Sequence, residues 1–281
     1  MKTIVPLTGT PRSGSTLLMH ILNQNPDFTV GADSSLPVVL NNIRSFVQDN
    51  TTTEQLPNKT FNDCVLKFCR SGSESWVNEI CPTNIFLDKS RYWLYQYQFM
   101  FKVFPNIKMI LNIRDLREIV NSVERIHHNS LCMNFQNYYN GFEKDFLHQR
   151  VDNILDLWFI KESLVSLKEL IEVAPKCRDN ILIFRYENLL QEPQESMNRI
   201  YDFLKLPKFN HDFENIQDMT NHFDNIYLPY GNHKIRNKLE RCDEDLPYLP
   251  QNFCDYIIET HKWYYEHFYP EILEGMVEND I

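Results

Sequence analysis

The chain has 281 residues, of which 43% are hydrophobic and 13% aromatic, so it can bury a sizeable core and does not have the composition of a disordered protein. Its formal net charge of −10 argues against general nucleic-acid binding, which requires a basic face. A local basic pocket for a small anion is compatible with this charge if the pocket itself supplies the attraction. We expect a single domain over residues 1–281, because α/β folds of this length often stay undivided.

The first eighty residues are predicted to contain one strand and three helices. An apolar, partly β-branched run that ends in a glycine predicts a strand at residues 3–9. Apolar residues on one face of TLLMHILNQN predict a helix that starts at Ser15 and ends before Asn25-Pro26. Two further helices are predicted at residues 36–47 and 61–80.

Three more strands are predicted, and each has a polar or basic residue at its carboxyl end. They are NIFLDK (84–89), KMILNIRD (108–115) and NILIFRYEN (180–188). Helices are predicted over residues 90–104, 117–128, 150–173, 189–206 and 250–268, with a break near Pro193 and irregular segments at 129–148 and 207–249. Strands that alternate with helices predict an α/β fold with a parallel sheet of about four to five strands, flanked by helices on both faces.

The segment between the first strand and the first helix, GTPRSGST (9–16), is close to a nucleotide-binding P-loop. The usual pattern is G-x-x-x-x-G-K-[ST], but Ser15 stands where the lysine is expected. Backbone N–H groups of such a loop can hold a phosphate without a lysine, and Arg12 adds a planar, permanent charge. No predicted strand ends in a bare aspartate for Mg²⁺. The P-loop-like segment therefore predicts an anionic nucleotide bound without a metal, held by Arg12, Ser13, Gly14, Ser15 and Thr16.

The other strand ends add cations to the same edge of the predicted sheet, because ligands of parallel sheets bind beyond the carboxyl ends of the strands. Lys89 ends the second predicted strand, and Arg114 ends the third. Ser122 lies two helical turns along the helix that follows Arg114, so the two side chains could grip a second phosphate. An Arg-Asp pair at a helix start is more often a cap with a surface salt bridge, and the phosphate interpretation gains weight together with the loop at 9–16.

Three segments resemble the motifs of PAPS-dependent sulfotransferases, where PAPS is 3′-phosphoadenosine-5′-phosphosulfate. PRSGSTLL (11–18) is similar to the 5′-phosphosulfate loop of that family, NIRDLREIVNS (112–122) to its 3′-phosphate motif, and FRYENLLQEPQESMNRIYDFLKLP (184–207) to its RYEDL segment. The resemblance covers about residues 1–207 in the expected order. It implies PAPS as the donor, PAP as the product and no metal, and it adds Tyr186 to the donor-binding residues.

Within the family, PRSGSTLLMHILNQNPDFTVGADSSLP (11–37) is most similar to the tyrosylprotein sulfotransferases. That resemblance implies that Asp33 takes the place of a glutamate that deprotonates the acceptor hydroxyl. It also implies that Lys89 matches the lysine that follows the family's second strand. The alternative role for Asp33 is to cap the helix that starts near Ser35, since aspartate is favoured at N-caps.

Two later segments supply further candidates. The resemblance implies a late basic loop over the donor, with Lys234 and Arg236 in GNHKIRNK (231–238) as its cations; a solvated charge run is the alternative. Aromatic residues of the irregular connector could line an acceptor cleft, although such residues more often serve packing; they are Phe135, Tyr138, Tyr139 and Phe142.

The predicted function is metal-independent, in-line sulfuryl transfer from PAPS to an acceptor hydroxyl or amine. Asp33 would take the acceptor proton, while Arg12 and Lys89 would stabilise charge on the sulfuryl and bridging oxygens. The acceptor class stays open between a peptide tyrosine, a carbohydrate and a small metabolite. The alternatives are a P-loop small-molecule kinase that uses ATP and Mg²⁺, and a non-catalytic nucleotide-binding protein of the same fold.

The cysteines and the N-terminal residues indicate in which cellular compartment the protein is expected. Seven cysteines occur without a CxxC pair, at positions 64, 69, 81, 132, 177, 242 and 254, as is typical of a reduced cytosolic protein. The first ten residues lack the apolar run of a signal peptide, and no apolar stretch is long enough to span a membrane. We therefore expect a cytoplasmic protein without a membrane span.

Overall fold

In the computed structural model, which describes residues 2–32, 34–48, 58–129, 147–173, 175–218, 237–240 and 249–279, the chain forms a five-stranded parallel sheet. The strands are β1 (Thr3–Gly9), β2 (Phe28–Ala32), β3 (Ile85–Lys89), β4 (Met109–Ile113) and β5 (Ile181–Arg185). Their order in the sheet is β2-β3-β1-β4-β5, and every neighbouring pair is parallel. This architecture confirms the predicted α/β fold class.

One strand, β2, does not follow from the sequence pattern. Its five residues, FTVGA, are short and include a glycine, so the local preference for a strand is weak. It forms because it pairs along its whole length with β3 at the edge of the sheet, from Phe28↔Ile85 to Ala32↔Lys89. As a result, Gly31 and Ala32 form the end of a strand, which the sequence pattern does not predict.

The helices lie on both faces of the sheet, as predicted. Within the described residues they are α1 (Ser15–Leu22), α2 (Leu36–Gln48), α3 (Asn58–Ile80), α4 (Tyr92–Tyr95), α5 (Tyr97–Val103), α6 (Leu116–Asn129), α7 (Leu147–Asp156), α8 (Trp158–Val173), α9 (Tyr186–Gln191), α10 (Pro193–Leu204), α11 (Gln251–Thr260), α12 (Lys262–Phe268) and α13 (Pro270–Asn279), with a 3₁₀ helix at Pro175–Asn180.

Three of the predicted single helices are in fact broken. The segment 90–104 divides at Gln96, where φ is −127° and ψ is 28°. The segment 150–173 divides between α7 and α8, and the predicted C-terminal helix is three helices, the last of which extends beyond residue 268. Before α13 the chain leaves the helical region at Tyr269, because a residue that precedes a proline is disfavoured there. The break between α9 and α10 at Pro193 is confirmed, with the proline in the first turn of α10.

The core consists of apolar layers on the two faces of the sheet. On one face, β4 packs against α6, α8 and the C-terminal helices, with Leu111, Ile119 and Tyr264 fully buried. On the other face, β1 packs against α1, α9 and α10, with Leu7, Leu18 and Tyr201 fully buried. No helix in the described ranges is long and apolar enough to cross a membrane.

Candidate active site

The carboxyl ends of the strands meet at one edge of the sheet, as predicted. Lys89 at the end of β3 lies opposite Leu7 of β1, and Gly9 of β1 lies opposite Asn112 of β4. On the far side, Ile113 of β4 pairs with Arg185 of β5. The register therefore brings residues from four separate parts of the chain to the loop that follows β1.

The loop after β1 depends on two glycines. Gly9 has φ +144°, and a Cβ there would lie 1.9 Å from the backbone oxygen of Asn112. Gly14 has φ +77°, and a Cβ there would lie 2.4 Å from a ring carbon of Tyr186. Arg12 itself adopts φ +61°, a left-handed conformation that is uncommon for a residue with a side chain. The tight turn allows β1, β4 and α9 to approach one another closely around the loop.

The loop leads directly into the amino end of α1. Gly14 is the N-cap and offers no side-chain oxygen to the first N–H groups of the helix. Ser15 and Thr16 form the first turn, where N–H groups and the helix dipole favour an anion. Ser13 is buried, and its hydroxyl donates to the carbonyl of Thr10 at 2.6 Å. The Ser13 side chain therefore supports the turn, which leaves its backbone as the group available to a ligand.

Arg114 connects the loop to the third motif. Its Nη1 donates to the carbonyl of Arg12 at 3.1 Å, and its guanidinium carbon lies 4.7 Å from the centre of the Tyr186 ring. Its Nη2 donates to the carboxylate of Glu118 at 3.2 Å. Its Nε is buried and makes no hydrogen bond within the described part of the chain. The motifs at 11–18, 112–122 and 184–207 thus meet at one side chain.

Ser122 is placed beside Arg12, although 110 residues separate them in the chain. The Nε of Arg12 donates to Oγ of Ser122 at 3.1 Å, and Ser122 is buried. Because Arg12 belongs to the loop and Ser122 to the predicted second-phosphate motif, this hydrogen bond joins the two predicted phosphate positions. It also directs the Arg12 guanidinium toward α6.

Lys89 lies on the opposite side of the loop, half-buried at the end of β3. Burial lowers the pKa of His20 on α1, while the Asp218 carboxylate raises it and the charge of Lys89 lowers it further. Leu87, two residues before Lys89 in the same strand, packs with residues of α1, so strand alternation places the Lys89 side chain on the α1 side of the sheet. It is therefore on the same face as the amino end of α1.

Asp88 was not among the candidates, although it is fully buried next to Lys89. Its Oδ2 accepts hydrogen bonds from the Ser34 hydroxyl at 2.6 Å and from the Trp93 indole N–H at 2.9 Å. It therefore ties the residue after Asp33 to β3 and α4. A carboxylate between the apolar residues of the strand IFLDK and its terminal lysine is the sequence signal that could have identified it.

Several predicted site residues lie outside the described residues, and their roles stay predictions. They are the candidate base Asp33, the basic-loop residues Lys234 and Arg236, and the connector aromatics Phe135, Tyr138, Tyr139 and Phe142.

Asp115, which follows Arg114, is committed to protein contacts. Its carboxylate binds Arg117 through both oxygens, and it accepts the Tyr265 hydroxyl at 2.9 Å. Within the described ranges, no three residues of the types His, Cys, Asp or Glu are grouped so that they could hold a metal ion.

Comparison with known proteins agrees with this geometry. A family model described as "Sulfotransferase family" matches residues 5–211. A putative protein-tyrosine sulfotransferase of Caenorhabditis briggsae is 28% identical over 203 residues, which are 70% of this chain and 64% of that protein. Protein-tyrosine sulfotransferase 1 of Danio rerio is 24% identical over 210 residues, which are 73% of this chain and 53% of that protein. The matches thus span between about half and two thirds of these relatives.

The fold is also similar to a solved structure, the sulfotransferase domain from the curacin biosynthetic pathway. The TM-score is 0.52 at 16% identity, and the superposition covers 92% of this chain and 97% of that domain. The similarity supports the fold, while the family model, which covers most of the strands and the three motifs, supports the membership. The chain belongs to the sulfotransferase family.

Proposed function

We propose that this chain transfers a sulfuryl group from PAPS to an acceptor hydroxyl. The observation that carries the proposal is the Arg12–Ser122 hydrogen bond beside Arg114, because Arg12 belongs to the predicted phosphate loop and Ser122 to the predicted second-phosphate motif. A donor with phosphate groups at both its 5′ and 3′ positions fits such a pair. Nucleotides without a 3′-phosphate would use only the loop and leave Arg114 without a phosphate partner.

Each half of the donor site has a distinct set of groups. The backbone of residues 12–16 and the amino end of α1 would receive the 5′-phosphosulfate. Arg114 and Ser122 would receive the 3′-phosphate, and Arg12 lies where it can serve both halves. The Tyr186 ring, against which the Arg114 guanidinium stacks, would border the nucleoside. Ser15 can replace a P-loop lysine because PAPS has no γ-phosphate.

The chemical step would be an in-line displacement at sulfur. The acceptor oxygen forms a bond to sulfur, the bond from sulfur to the 5′-phosphate oxygen breaks, and PAP leaves with that oxygen. Lys89 and Arg12 would stabilise the negative charge that develops on the bridging and sulfuryl oxygens. Asp33 would take the acceptor proton. It directly follows Ala32 in the sequence, and the strand register pairs Ala32 with Lys89.

We propose a peptide tyrosine as the first acceptor to test, because the two relatives described above are named protein-tyrosine sulfotransferases. The net charge of −10 disfavours strongly acidic peptides, so a neutral tyrosine peptide should be compared with an acidic one. Carbohydrate and small-metabolite hydroxyls form the rest of the acceptor panel. A cytoplasmic location stays a prediction.

The donor site is tested by calorimetry and thermal shift with PAP, ADP, and ATP with and without Mg²⁺. A ligand at 100 times its Kd stabilises the fold by about 2.7 kcal/mol. We expect PAP to stabilise the protein without metal and more strongly than ADP, and Arg114→Ala to abolish this preference. Arg199→Ala, which changes an exposed arginine on α10, is the matched control. Stabilisation by ATP with Mg²⁺ alone would support the kinase alternative instead.

The catalytic assignment is tested by turnover with PAPS on the acceptor panel. Loss of the Arg12 cation should lower the rate by about 10²–10³, as for loss of one oxyanion donor. An Arg12→Ala variant with full turnover would show that the assignment is wrong. PAP binding without turnover on any acceptor would favour the non-catalytic alternative.

A further inference from the structure

Three tyrosines of the segment YYEHFY (264–269) reach the strand ends that carry the candidate donor site. We call Tyr264, Tyr265 and Tyr269 the tyrosine clamp; all three are almost completely buried. The Tyr264 hydroxyl donates to the carbonyl of Arg114 at 2.8 Å, 150 residues earlier in the chain. The clamp lies beyond residues 5–211, where the match to the family model ends.

The other two hydroxyls bind carboxylates next to Arg114. Tyr265 donates to Oδ1 of Asp115 at 2.9 Å, and Tyr269 donates to Oε2 of Glu187 at 2.9 Å. The second oxygen of Glu187, Oε1, accepts the backbone N–H of Asp115 at 3.0 Å. The clamp and Glu187 therefore hold both polar atoms of the peptide group between Arg114 and Asp115: Tyr264 binds its C=O, and Glu187, held by Tyr269, binds its N–H.

These two hydrogen bonds fix the backbone position from which the Arg114 side chain extends. From that fixed peptide, Arg114 reaches the carbonyl of Arg12 and stacks on Tyr186. The same C-terminal helices also hold the end of β5, because the Arg185 guanidinium lies 4.1 Å from the centre of the Tyr269 ring. Arg185 also pairs with Glu271 of α13. The ends of β4 and β5 are thus attached to one C-terminal unit.

The hydroxyls of the clamp act as donors at any ordinary pH. Burial raises the pKa of Tyr264, Tyr265 and Tyr269, and the nearby carboxylates of Asp115 and Glu187 raise these pKa values further. A neutral phenol therefore faces the Arg114 carbonyl and each carboxylate, as the hydrogen-bond geometry requires.

We propose that Tyr264 and Tyr269 are positioning residues for recognition of the donor's 3′-phosphate: they hold the Arg114 peptide so that its guanidinium meets that phosphate. The inference rests on the proposed binding of PAPS. It differs from a purely structural role in one respect. A structural role would affect all nucleotides alike, whereas positioning of Arg114 affects the nucleotides that carry a 3′-phosphate.

The test compares the Kd of PAP with the Kd of adenosine 5′-monophosphate, measured by calorimetry on the full chain. We expect Tyr264→Phe and Tyr269→Phe each to weaken PAP binding about fivefold, equivalent to the loss of one hydrogen bond. Binding of adenosine 5′-monophosphate should change by less than about twofold. Glu187→Gln should give the same selective loss, because the amide retains only one acceptor oxygen.

Two controls separate this effect from general loosening of the fold. Tyr95→Phe removes a hydroxyl that donates to the carbonyl of Phe159 at 2.9 Å, away from the clamp, and should leave both Kd values unchanged. Tyr265→Phe should have a smaller effect than its two neighbours, because Arg117 also holds the Asp115 carboxylate.

The outcomes distinguish the inference from the function on which it rests. If the wild-type chain binds PAP no better than adenosine 5′-monophosphate, both are overturned. If the wild type prefers PAP and the clamp variants lose affinity for both nucleotides by the same factor, or for neither, only the positioning role is overturned. A selective loss for PAP supports it.

Discussion

Replacement of Gly14 by alanine tests the donor loop most directly. The added Cβ would lie 2.4 Å from a ring carbon of Tyr186, in a residue whose φ of +77° is unfavourable for alanine. The left-handed conformation costs about 1–2 kcal/mol, and displacement of a packed ring costs about 1–3 kcal/mol. A less flexible unfolded chain offsets up to about 1 kcal/mol of this. We expect Gly14→Ala to lower the free energy of unfolding by about 1–5 kcal/mol.

The same substitution should weaken donor binding, because Tyr186 supports the Arg114 guanidinium from the other side. Urea denaturation gives the stability, and calorimetry with PAP gives the affinity. Gly72→Ala is the matched control: Gly72 lies in α3 with nothing within 4 Å of the added Cβ. Alanine is favoured over glycine in a helix, so this control should stabilise the fold by about 0.5–1 kcal/mol.

Gly9→Ala extends the series to a site where the neighbour cannot move. The added Cβ would lie 1.9 Å from the backbone oxygen of Asn112, within the sheet, so the loss should exceed that of Gly14→Ala. We expect Gly72→Ala to be the most stable protein of the series, followed by the wild type, Gly14→Ala and Gly9→Ala. If the Gly14→Ala variant had the same stability and the same PAP affinity as the wild type, the contact between the loop and Tyr186 would be refuted.

Glu124→Gln removes the carboxylate charge that faces the buried guanidinium of Arg150 at 3.1 Å, and should cost about 3–5 kcal/mol in urea denaturation. A loss below about 1 kcal/mol would contradict this. Burial lowers the pKa of His211 to about 4, so the unfolded chain takes up a proton that the fold does not bind between pH 6.5 and 4. The contribution of His211 to stability is therefore full above pH 6.5 and falls toward pH 4. His211→Gln should reduce the difference between the unfolding midpoints measured at pH 7 and at pH 4.5. An unchanged difference would count against this role of His211. Asp88→Ala removes the acceptor of the buried Trp93 indole N–H and of the half-buried Ser34 hydroxyl, and should lower the free energy of unfolding by about 2–4 kcal/mol. The exposed Asp63→Ala should stay within about 0.5 kcal/mol of the wild type, and equal losses in the two variants would refute the role of Asp88.

Local patterns predict those parts of the fold that form from neighbouring residues. The strand at 3–9 has the bounds of β1, and the helix predicted from Ser15 begins there as α1. These predictions succeed because an apolar run, a glycine turn and an amphipathic helix are each encoded within a few residues. The strand β2 and the helix breaks at Gln96 and Tyr269 are not predicted, because they depend on pairing with β3 and on packing of distant segments.

The same distinction applies to the candidate site. GTPRSGST and the cations Lys89 and Arg114 are recognisable in the chain, since each directly follows an apolar strand. The hydrogen bonds of the buried Asp88 are not, because its partners Ser34 and Trp93 come together only when β2 and α4 flank β3. Asp33, Lys234 and Arg236 lie outside the described residues, so their roles stay predictions.

The sequence by itself indicated the kind of ligand, because a glycine loop without a lysine, with arginines at strand ends, suits an anionic donor. This could be recognised because the loop and the amino end of the following helix consist of residues that are adjacent in the chain. Tertiary structure decided which of these groups act together. Arg12 meets Ser122 across 110 residues, and Tyr264 meets Arg114 across 150 residues. Such contacts require the parallel sheet to gather its strand ends at one edge and the C-terminal helices to pack beside them. No local pattern can specify a hydrogen bond whose partners are brought together only by the completed core.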